Sequence, residues 1–236
     1  MTVSNIAERL SVQPFLALVR DPRPGRTEGP RRALNVAVAA IGMVIASPVL
    51  VVIAALIKLT SPGPVIFVQT RVGIDRRDPD KAMGNGRRET DRGGKPFPIY
   101  KFRTMYVQSR REQVWARPDD PRITPVGRVL RKYRLDELPQ LVNVLLGHMN
   151  IVGPRPEQPN IVTDLQRQIA SYNLRHKVRP GITGLAQINH HYDRSIEDVR
   201  RKVTFDLEYI QRQSLSEDLK IMLRTVPVVV LRRGGW

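Results

Sequence analysis

The sequence predicts an α+β protein that is mainly helical, in which an apolar membrane segment joins a small basic domain with few short strands. Ala33 to Ile57 form a run of 25 residues without a single charge. Apolar residues recur at helical spacing over much of the following chain, whereas only two short segments have the pattern typical of strands. Cysteine is absent, which excludes disulfide frameworks, thiolate metal sites and cysteine nucleophiles.

The uncharged run is long enough to enter a lipid bilayer. As a helix it would extend roughly 37 Å, against a hydrocarbon core of about 30 Å. Ser47-Pro48 lies in its middle, and proline removes a backbone donor and disfavours helical dihedrals at the preceding residue. We therefore expect the helix to be broken at Ser47-Pro48.

The charges on either side of this segment bear on its topology. Six arginines and three acids precede Ala33, and 33 basic residues and 19 acids follow from Lys58 onward. Because basic segments are retained in the cytoplasm, this distribution favours a re-entrant helix with both ends on the cytoplasmic side. A straight span with a tolerated proline kink is the alternative. A cleaved signal peptide is not expected, since a long polar stretch precedes the run and no small-residue cleavage pattern ends it.

These features divide the chain into three parts. Residues 1–32 are predicted to form a helix and a linker, residues 33–59 the re-entrant membrane helix, and residues 60–236 a cytosolic domain. Residues 75–95 are dense in Arg, Asp and Gly and predict an exposed loop within that domain. Residues 219–231 are mostly apolar and are expected to form a C-terminal amphipathic helix that lies flat in the membrane interface.

Local patterns position several elements of the cytosolic domain. Residues 65–69 and 98–103 have short-strand character. Thr124-Pro125 is typical of an N-cap with proline at the first helical position, so a helix is expected from there through Tyr133. One face of this helix carries the basic residues Arg128, Arg131 and Lys132.

Two further helices are expected after this basic helix. Apolar residues from Leu138 to Leu145 have helical spacing, with Asp136 as the expected N-cap and Gly147 as the stop. The segment Ser195–Asp198 resembles a capping box and is expected to open a helix that continues through Gln211.

The net charge of +17 at pH 7 implies an anionic partner. Charge alone leaves nucleic acid, an acidic membrane leaflet and a phosphorylated substrate open. Aromatic residues make up only 6% of the chain and are not interleaved with basic ones, which argues against a membrane-tethered nucleic-acid binder, because single strands are held largely by stacking. A non-catalytic scaffold held by anionic headgroups is the other alternative to an enzyme.

Asp136 and Glu137 form the most suggestive pair of polar residues in the chain. They follow the basic helix, and Lys101 and Arg103 are available from the second strand-like segment. A carboxylate beside basic groups stays ionised and can act as a nucleophile. The alternative is that Asp136 only caps its helix and Glu137 only favours the helix dipole.

Four motifs then occur in one order along the chain. They are Ile99–Met105, Leu135–Leu141, Val152–Pro156 and Arg179–Gly184. Together they resemble the bacterial sugar transferases, which are monotopic polyprenyl-phosphate phosphoglycosyl transferases. The resemblance covers about residues 33–231, and the chain looks like the small form that contains only the catalytic domain.

The resemblance implies a topology, a reaction and a set of partners. A membrane helix broken at a Ser-Pro pair, as at Ser47-Pro48, would re-enter the cytoplasmic leaflet and hold the catalytic domain on the cytoplasmic face of the bacterial inner membrane. The reaction would move a sugar 1-phosphate from a UDP-sugar to a polyprenyl phosphate such as undecaprenyl phosphate, with release of UMP, as the first membrane step of cell-surface glycan or exopolysaccharide assembly. Mg²⁺ is the implied cofactor, the lipid bilayer is a partner, nucleic acid is not, and a homodimer is left open.

The resemblance also implies roles for individual residues. An Asp-Glu dyad matches Asp136 and Glu137, with Asp136 as the nucleophile that forms a phosphosugar-aspartyl intermediate and as the metal ligand. Lys101 and Arg131 are expected to hold phosphate near the dyad, and the nucleotide or phosphate side is expected to be lined by Arg155, Arg179 and Gln187. Arg103 joins these candidates because it lies on the same strand-like segment as Lys101.

Overall fold

The computed structural model of the protein describes residues 28–75, 93–107, 120–189 and 195–230. This part of the chain is mainly helical with two small sheets, which confirms the mainly helical α+β class. The helix predicted near the N-terminus and most of the loop predicted at residues 75–95 lie outside the described residues.

The described elements follow one another as short helices and strands after one long helix. The helices are α1 (Glu28–Thr60), α2 (Pro125–Lys132), α3 (Gln140–Leu145), α4 (Pro159–Gln168), α5 (Leu185–Asn189), α6 (Ile196–Arg212) and α7 (Leu215–Val230). The strands are β1 (Ile66–Val72), β2 (Pro96–Phe102), β3 (Asn150–Val152) and β4 (Gly181–Thr183), and the 3₁₀ turns are Leu135–Glu137 and Tyr172–Lys177.

Helix α1 contains the whole predicted membrane segment. Within the described ranges it is the one helix that is long and apolar enough to cross a membrane. The structure corrects the predicted break, because the helix continues through Pro48. The Ser47 hydroxyl donates to the Val44 carbonyl at 2.7 Å, which is the acceptor that an amide at position 48 would otherwise use. The serine therefore satisfies the carbonyl that the proline leaves free.

Buried polar contacts fix the N-terminal end of α1 to the domain. Arg31 Nε donates to Asp218 Oδ2 at 2.9 Å, and Arg31 Nη2 donates to the Tyr209 hydroxyl at 3.0 Å. Asn35 Oδ1 accepts from the Ile151 amide at 2.5 Å. All of these residues are buried, so removing one partner would leave an uncompensated polar group in the interior.

The C-terminal end of α1 packs against the same domain. Ile53 and Ile57 are buried in a cluster with Phe102 of β2 and Leu130 of α2. Between the two ends, large apolar side chains on the outer side of α1 are more than half exposed: Ile41, Val44, Ile45, Val51 and Val52. Both ends of the helix thus contact one body, while its apolar middle offers a surface for lipid.

Two small sheets organise the rest of the domain. Strands β1 and β2 form an antiparallel pair from Ile66 opposite Phe102 to Val72 opposite Pro96, which confirms both strands predicted from the sequence. Strands β3 and β4 pair in parallel, and β3 lies in the main hydrophobic core together with side chains of β2, α3, α6 and α7. The two strand pairs bring together segments that are distant along the chain.

The structure confirms some of the predicted helix starts and corrects others. Thr124 caps α2 by accepting from the Gly127 amide, and Ser195 opens α6 with a capping box. Asp136 is not an N-cap, because α3 begins only at Gln140. The C-terminal helix begins at Leu215, earlier than predicted, and its position in a membrane interface stays a prediction.

Candidate active site

The dyad lies on a tight turn between α2 and α3. Arg134 precedes this turn with a φ of 55° and is the only non-glycine residue of the described ranges in the left-handed region. This conformation is rare for residues with a side chain and reverses the chain after α2. Leu135 packs against the cluster at the C-terminal end of α1, which holds the turn from below. Asp136 and Glu137 are thereby displayed from a rigid, locally strained element.

Glu137 is held by two cations from different parts of the chain. Lys101 Nζ of β2 donates to Glu137 Oε1 at 2.9 Å. Arg155 Nη2 donates to the same oxygen at 2.5 Å, and Nη1 approaches Oε2 at 3.4 Å. Burial would raise the pKa of the Glu137 carboxyl, but the charges of Arg155 and Lys101 bring it well below its usual range. Glu137 is therefore a permanent anion at neutral pH.

Asp136 has a different environment from its neighbour. Its carboxylate is half-buried and makes no hydrogen bond or ion pair with the described residues. Burial raises the pKa of Asp136 and the charge of Glu137 raises it further, against the opposing charges of Lys101 and other cations. A more basic carboxylate with free oxygens is the better nucleophile of the two.

The loop that carries Arg155 is fixed by buried cations that sequence reasoning missed. Arg175 Nη2 donates to the Arg155 carbonyl at 2.9 Å while its guanidinium also pairs with Asp206 at 2.7 Å. Arg71 donates to the Pro156 carbonyl at 3.2 Å. Prolines at 154 and 156 restrict the same loop from within. The backbone at Arg155 is therefore already restrained, so the Arg155 side chain binds Glu137 at a small cost in conformational entropy.

Glu157 ends this loop in a second, partly buried ion cluster. Its carboxylate pairs with Lys202 at 2.8 Å and with Arg71 at 3.3 Å. Burial acts to raise the pKa of Glu157, but Lys202 and Arg71 lower it to about 2. No local sequence pattern pointed to Arg71, Arg175 or Lys202, since their partners lie far away along the chain.

The remaining predicted ligands divide into those near the dyad and those elsewhere. Arg131 lies on α2, donates to the Thr104 hydroxyl at 3.1 Å, and its charge acts on the Asp136 carboxyl. Arg103 does not face the dyad. Its buried guanidinium donates to the carbonyls of Ser61, at 2.8 Å, and of Pro62, so it closes the C-terminal end of α1.

Arg179 and Gln187 also lie apart from the dyad contacts. Arg179 Nη1 donates to Glu28 at 2.6 Å, at the first turn of α1. Both amide atoms of Gln187 are buried without a hydrogen-bond partner among the described residues, although the amide lies close to Gly184 of the Arg-Pro-Gly turn. A buried amide without partners is costly unless a ligand or water satisfies it, which is compatible with the role expected for Gln187.

The donor set at the dyad is suited to a hard cation. Within the described ranges no three His, Cys, Asp or Glu side chains converge on one point. Mg²⁺ commonly binds through one or two carboxylates together with substrate phosphates, and the free oxygens of Asp136 fit that mode. Glu137 has its oxygens occupied by Lys101 and Arg155.

Comparison with known proteins decides the family. The model of the family described as bacterial sugar transferase matches residues 27–232. The chain belongs to the bacterial sugar transferase family. A UDP-N-acetylgalactosamine-undecaprenyl-phosphate N-acetylgalactosaminephosphotransferase of Aeromonas hydrophila is 41% identical over 206 residues, which are 87% of this chain and 44% of the relative.

Two glucose-1-phosphate transferases are similarly close to this sugar transferase. The UDP-glucose:undecaprenyl-phosphate glucose-1-phosphate transferase of Escherichia coli is 42% identical over 222 residues, covering 93% of this chain and 44% of the relative. The one of Caulobacter vibrioides is 42% identical over 200 residues, covering 84% of this chain and 68% of the relative. The chain thus spans less than half the length of the first two relatives.

The ion cluster at Glu157 gives a test of the site's stability. Glu157→Gln is expected to lower the free energy of unfolding by about 3 kcal/mol at pH 7, because the pKa of Glu157 is about 2 in the fold against 4.5 when unpaired. This contribution is present above pH 4.5 and is lost as the pH falls toward 2. Denaturant unfolding of both proteins in detergent at several pH values measures the difference.

A matched control is Glu197→Gln, which alters an exposed glutamate on α6 that pairs only within its helix. This control should change stability little at any pH. A Glu157→Gln protein as stable as the parent at pH 7 would contradict the assignment.

Proposed function

We propose that the protein transfers a sugar 1-phosphate from a UDP-sugar to a polyprenyl phosphate, undecaprenyl phosphate in the cell, with UMP as the other product. The observation that carries this proposal is the unequal environment of the two dyad carboxylates. Glu137 is held by two cations, whereas Asp136 has open oxygens and a raised pKa. The activities named for the two relatives, which specify UDP-sugars and undecaprenyl phosphate, support the same reaction.

The reaction proceeds by two displacements at one phosphorus. A carboxylate oxygen of Asp136 attacks the β-phosphorus of the UDP-sugar and forms a new phosphorus–oxygen bond. The bond to the bridging oxygen breaks, and that oxygen leaves with UMP. An oxygen of the polyprenyl phosphate then attacks the same phosphorus, which forms a polyprenyl-diphosphate-sugar and returns Asp136 as a free carboxylate.

The cations around the dyad supply charge neutralisation. Phosphoryl transfer depends mainly on positioning and on stabilising charge on the phosphate oxygens. Lys101 and Arg155 are fixed by Glu137, and Arg131 is oriented by Thr104. Glu137 thus acts by positioning two cations rather than by attacking the substrate.

Mg²⁺ would be held by Asp136 and by oxygens of the diphosphate. When bound, the ion supplies further neutralisation of the diphosphate charge. The Asp136 oxygens have no hydrogen-bond partner among the described residues, and Glu137 keeps the neighbouring cations in place. The separate positions of Arg179 and Gln187 fit contacts to more distant parts of the nucleotide better than contacts to the reacting phosphorus.

The re-entrant topology is part of the same proposal. A straight span would carry one end of α1 across the bilayer, away from the domain that both ends contact. It would also separate Arg31 from Asp218, at the cost of a buried ion pair. Helix α1 therefore keeps both ends on the cytoplasmic side and buries its exposed apolar middle in the cytoplasmic leaflet of the bacterial inner membrane, and the catalytic domain faces the cytoplasm.

The role of Asp136 is tested by a conservative substitution. Asp136→Asn is expected to abolish UMP release, because an amide cannot form the phosphorus–oxygen bond, while folding stays intact since the Asp136 side chain makes no hydrogen bond or ion pair with the described residues. UMP is measured with purified protein, a panel of UDP-sugars and undecaprenyl phosphate.

The matched control for this experiment is Asp164→Asn, which alters an exposed aspartate on α4. It should retain parental activity. Substantial UMP release by Asp136→Asn, with acceptor present, would rule out the covalent mechanism and would be compatible with another nucleophile.

The topology is tested with cysteine reporters, since the chain has no cysteine of its own. Single cysteines at Ser11 and Ser109 should both resist an impermeant thiol reagent in intact cells and react once the membrane is opened. Adding Asp218→Asn to the Ser11→Cys protein should expose some N-termini, because the Arg31 contact is lost. Labelling of the parental Ser11→Cys protein from outside would contradict the re-entrant model.

A further inference from the structure

Phe67 is an exposed aromatic residue beside a cation of the dyad. It lies on β1 directly opposite Lys101 of β2, and directly opposite residues of an antiparallel pair project from the same face. Lys101 points from that face to Glu137. The Phe67 side chain nevertheless remains 47% exposed, so this face carries an apolar group at the open edge of the dyad.

The other face of the same strand offers a contrast. Val68, the next residue, is 53% exposed and lies opposite Tyr100, which places it away from Lys101. Farther along β1, Arg71 shares the face of Phe67 and reaches the loop that carries Arg155. Phe67 is thus an apolar residue on the same face of β1 as Arg71, which contacts the Arg155 loop.

Apolar surface continues from Phe67 toward the membrane helix. Leu59 in the last turn of α1 is 84% exposed, and Val107, which lies against Gly63 just after that turn, is 62% exposed. Gly63 lies in the short connection between α1 and β1, and Phe67 is the second residue of the strand that follows it. An apolar path therefore leads from the end of the membrane helix to the edge of the phosphate-binding cations.

The chemistry of the two substrates decides which of them fits this path. A UDP-sugar could place its uracil ring or the C–H face of its sugar on a phenyl ring, but neither group has hydrocarbon that would continue along the apolar path toward α1. A polyprenyl phosphate joins a phosphate directly to a hydrocarbon chain. Its phosphate would meet Lys101 while its first isoprene units lie on an adjoining apolar group.

We propose that Phe67 forms the hydrocarbon subsite for the acceptor, and that its ring contacts the first isoprene units of the polyprenyl phosphate whose phosphate approaches Lys101. This inference rests on the proposed function and assigns a specificity residue within it. The path past Val107 and Leu59 is the route by which the rest of the chain stays in the bilayer.

The test compares Phe67→Ser with the matched control Val68→Ser in detergent micelles. Phe67→Ser should raise the KM for undecaprenyl phosphate roughly tenfold, which corresponds to the loss of part of one buried aromatic contact. The KM for the UDP-sugar and the burst of UMP formed without acceptor should stay at the parental values. Val68→Ser should match the parent, and Phe67→Leu should restore most of the acceptor affinity.

Three results would overturn the inference. An unchanged KM for undecaprenyl phosphate in Phe67→Ser would remove the subsite. Equal effects of Phe67→Ser and Val68→Ser, accompanied by equal loss of binding to phosphatidylglycerol vesicles, would mean that the strand only inserts into the interface. A smaller UMP burst in Phe67→Ser would place the ring on the donor side. If the parental protein released no UMP with any UDP-sugar, the proposed function itself would fail, independently of Phe67.

Discussion

The pairing of Glu137 with Lys101 and Arg155 is the interaction on which the site depends. A buried carboxylate must be compensated, and here the compensation comes from a strand and a loop that are distant from the dyad along the chain. The two ion pairs therefore bring together β2, the Arg155 loop and the turn that carries Glu137. Arg71 and Arg175 hold the Arg155 loop from behind, so the arrangement is fixed before any substrate binds.

This constraint explains why adjacent carboxylates can have different roles. The cations that neutralise Glu137 leave the Asp136 oxygens without a partner in the described part of the chain, and burial keeps the pKa of Asp136 raised. The same cations lie where phosphate oxygens would be bound. Glu137 thereby sets the electrostatic environment of the proposed nucleophile, as chemistry that relies on positioned charge requires.

The packing of α1 connects this site to the long apolar helix that is proposed to enter the membrane. Leu135, at the start of the dyad turn, packs with the cluster around Ile57, and Leu141 lies 3.5 Å from the position that a side chain on Gly42 would occupy. Residues that contact α1 therefore lie on both sides of the dyad along the chain, Leu135 before it and Leu141 after it. Sequence patterns predicted this helix, the strands and two helix starts, because each depends on local spacing or on a short motif, and the roles of the dyad residues stay a prediction. The predicted cap at Asp136 was wrong. Sequence patterns also missed the contacts of Arg103 with Ser61 and Pro62, the roles of Arg71 and Arg175, and the Arg31–Asp218 pair, because these depend on contacts between distant segments.

The central claim is that Asp136, and not Glu137, carries the phosphosugar. The most direct measurement is the intact mass of the protein after brief incubation with Mg²⁺ and a UDP-sugar in the absence of acceptor, followed by peptide mapping. We expect an added mass of one sugar phosphate, located on Asp136 and removed by adding undecaprenyl phosphate. Release of UMP with no adduct on the protein, or an adduct on Glu137, would contradict it.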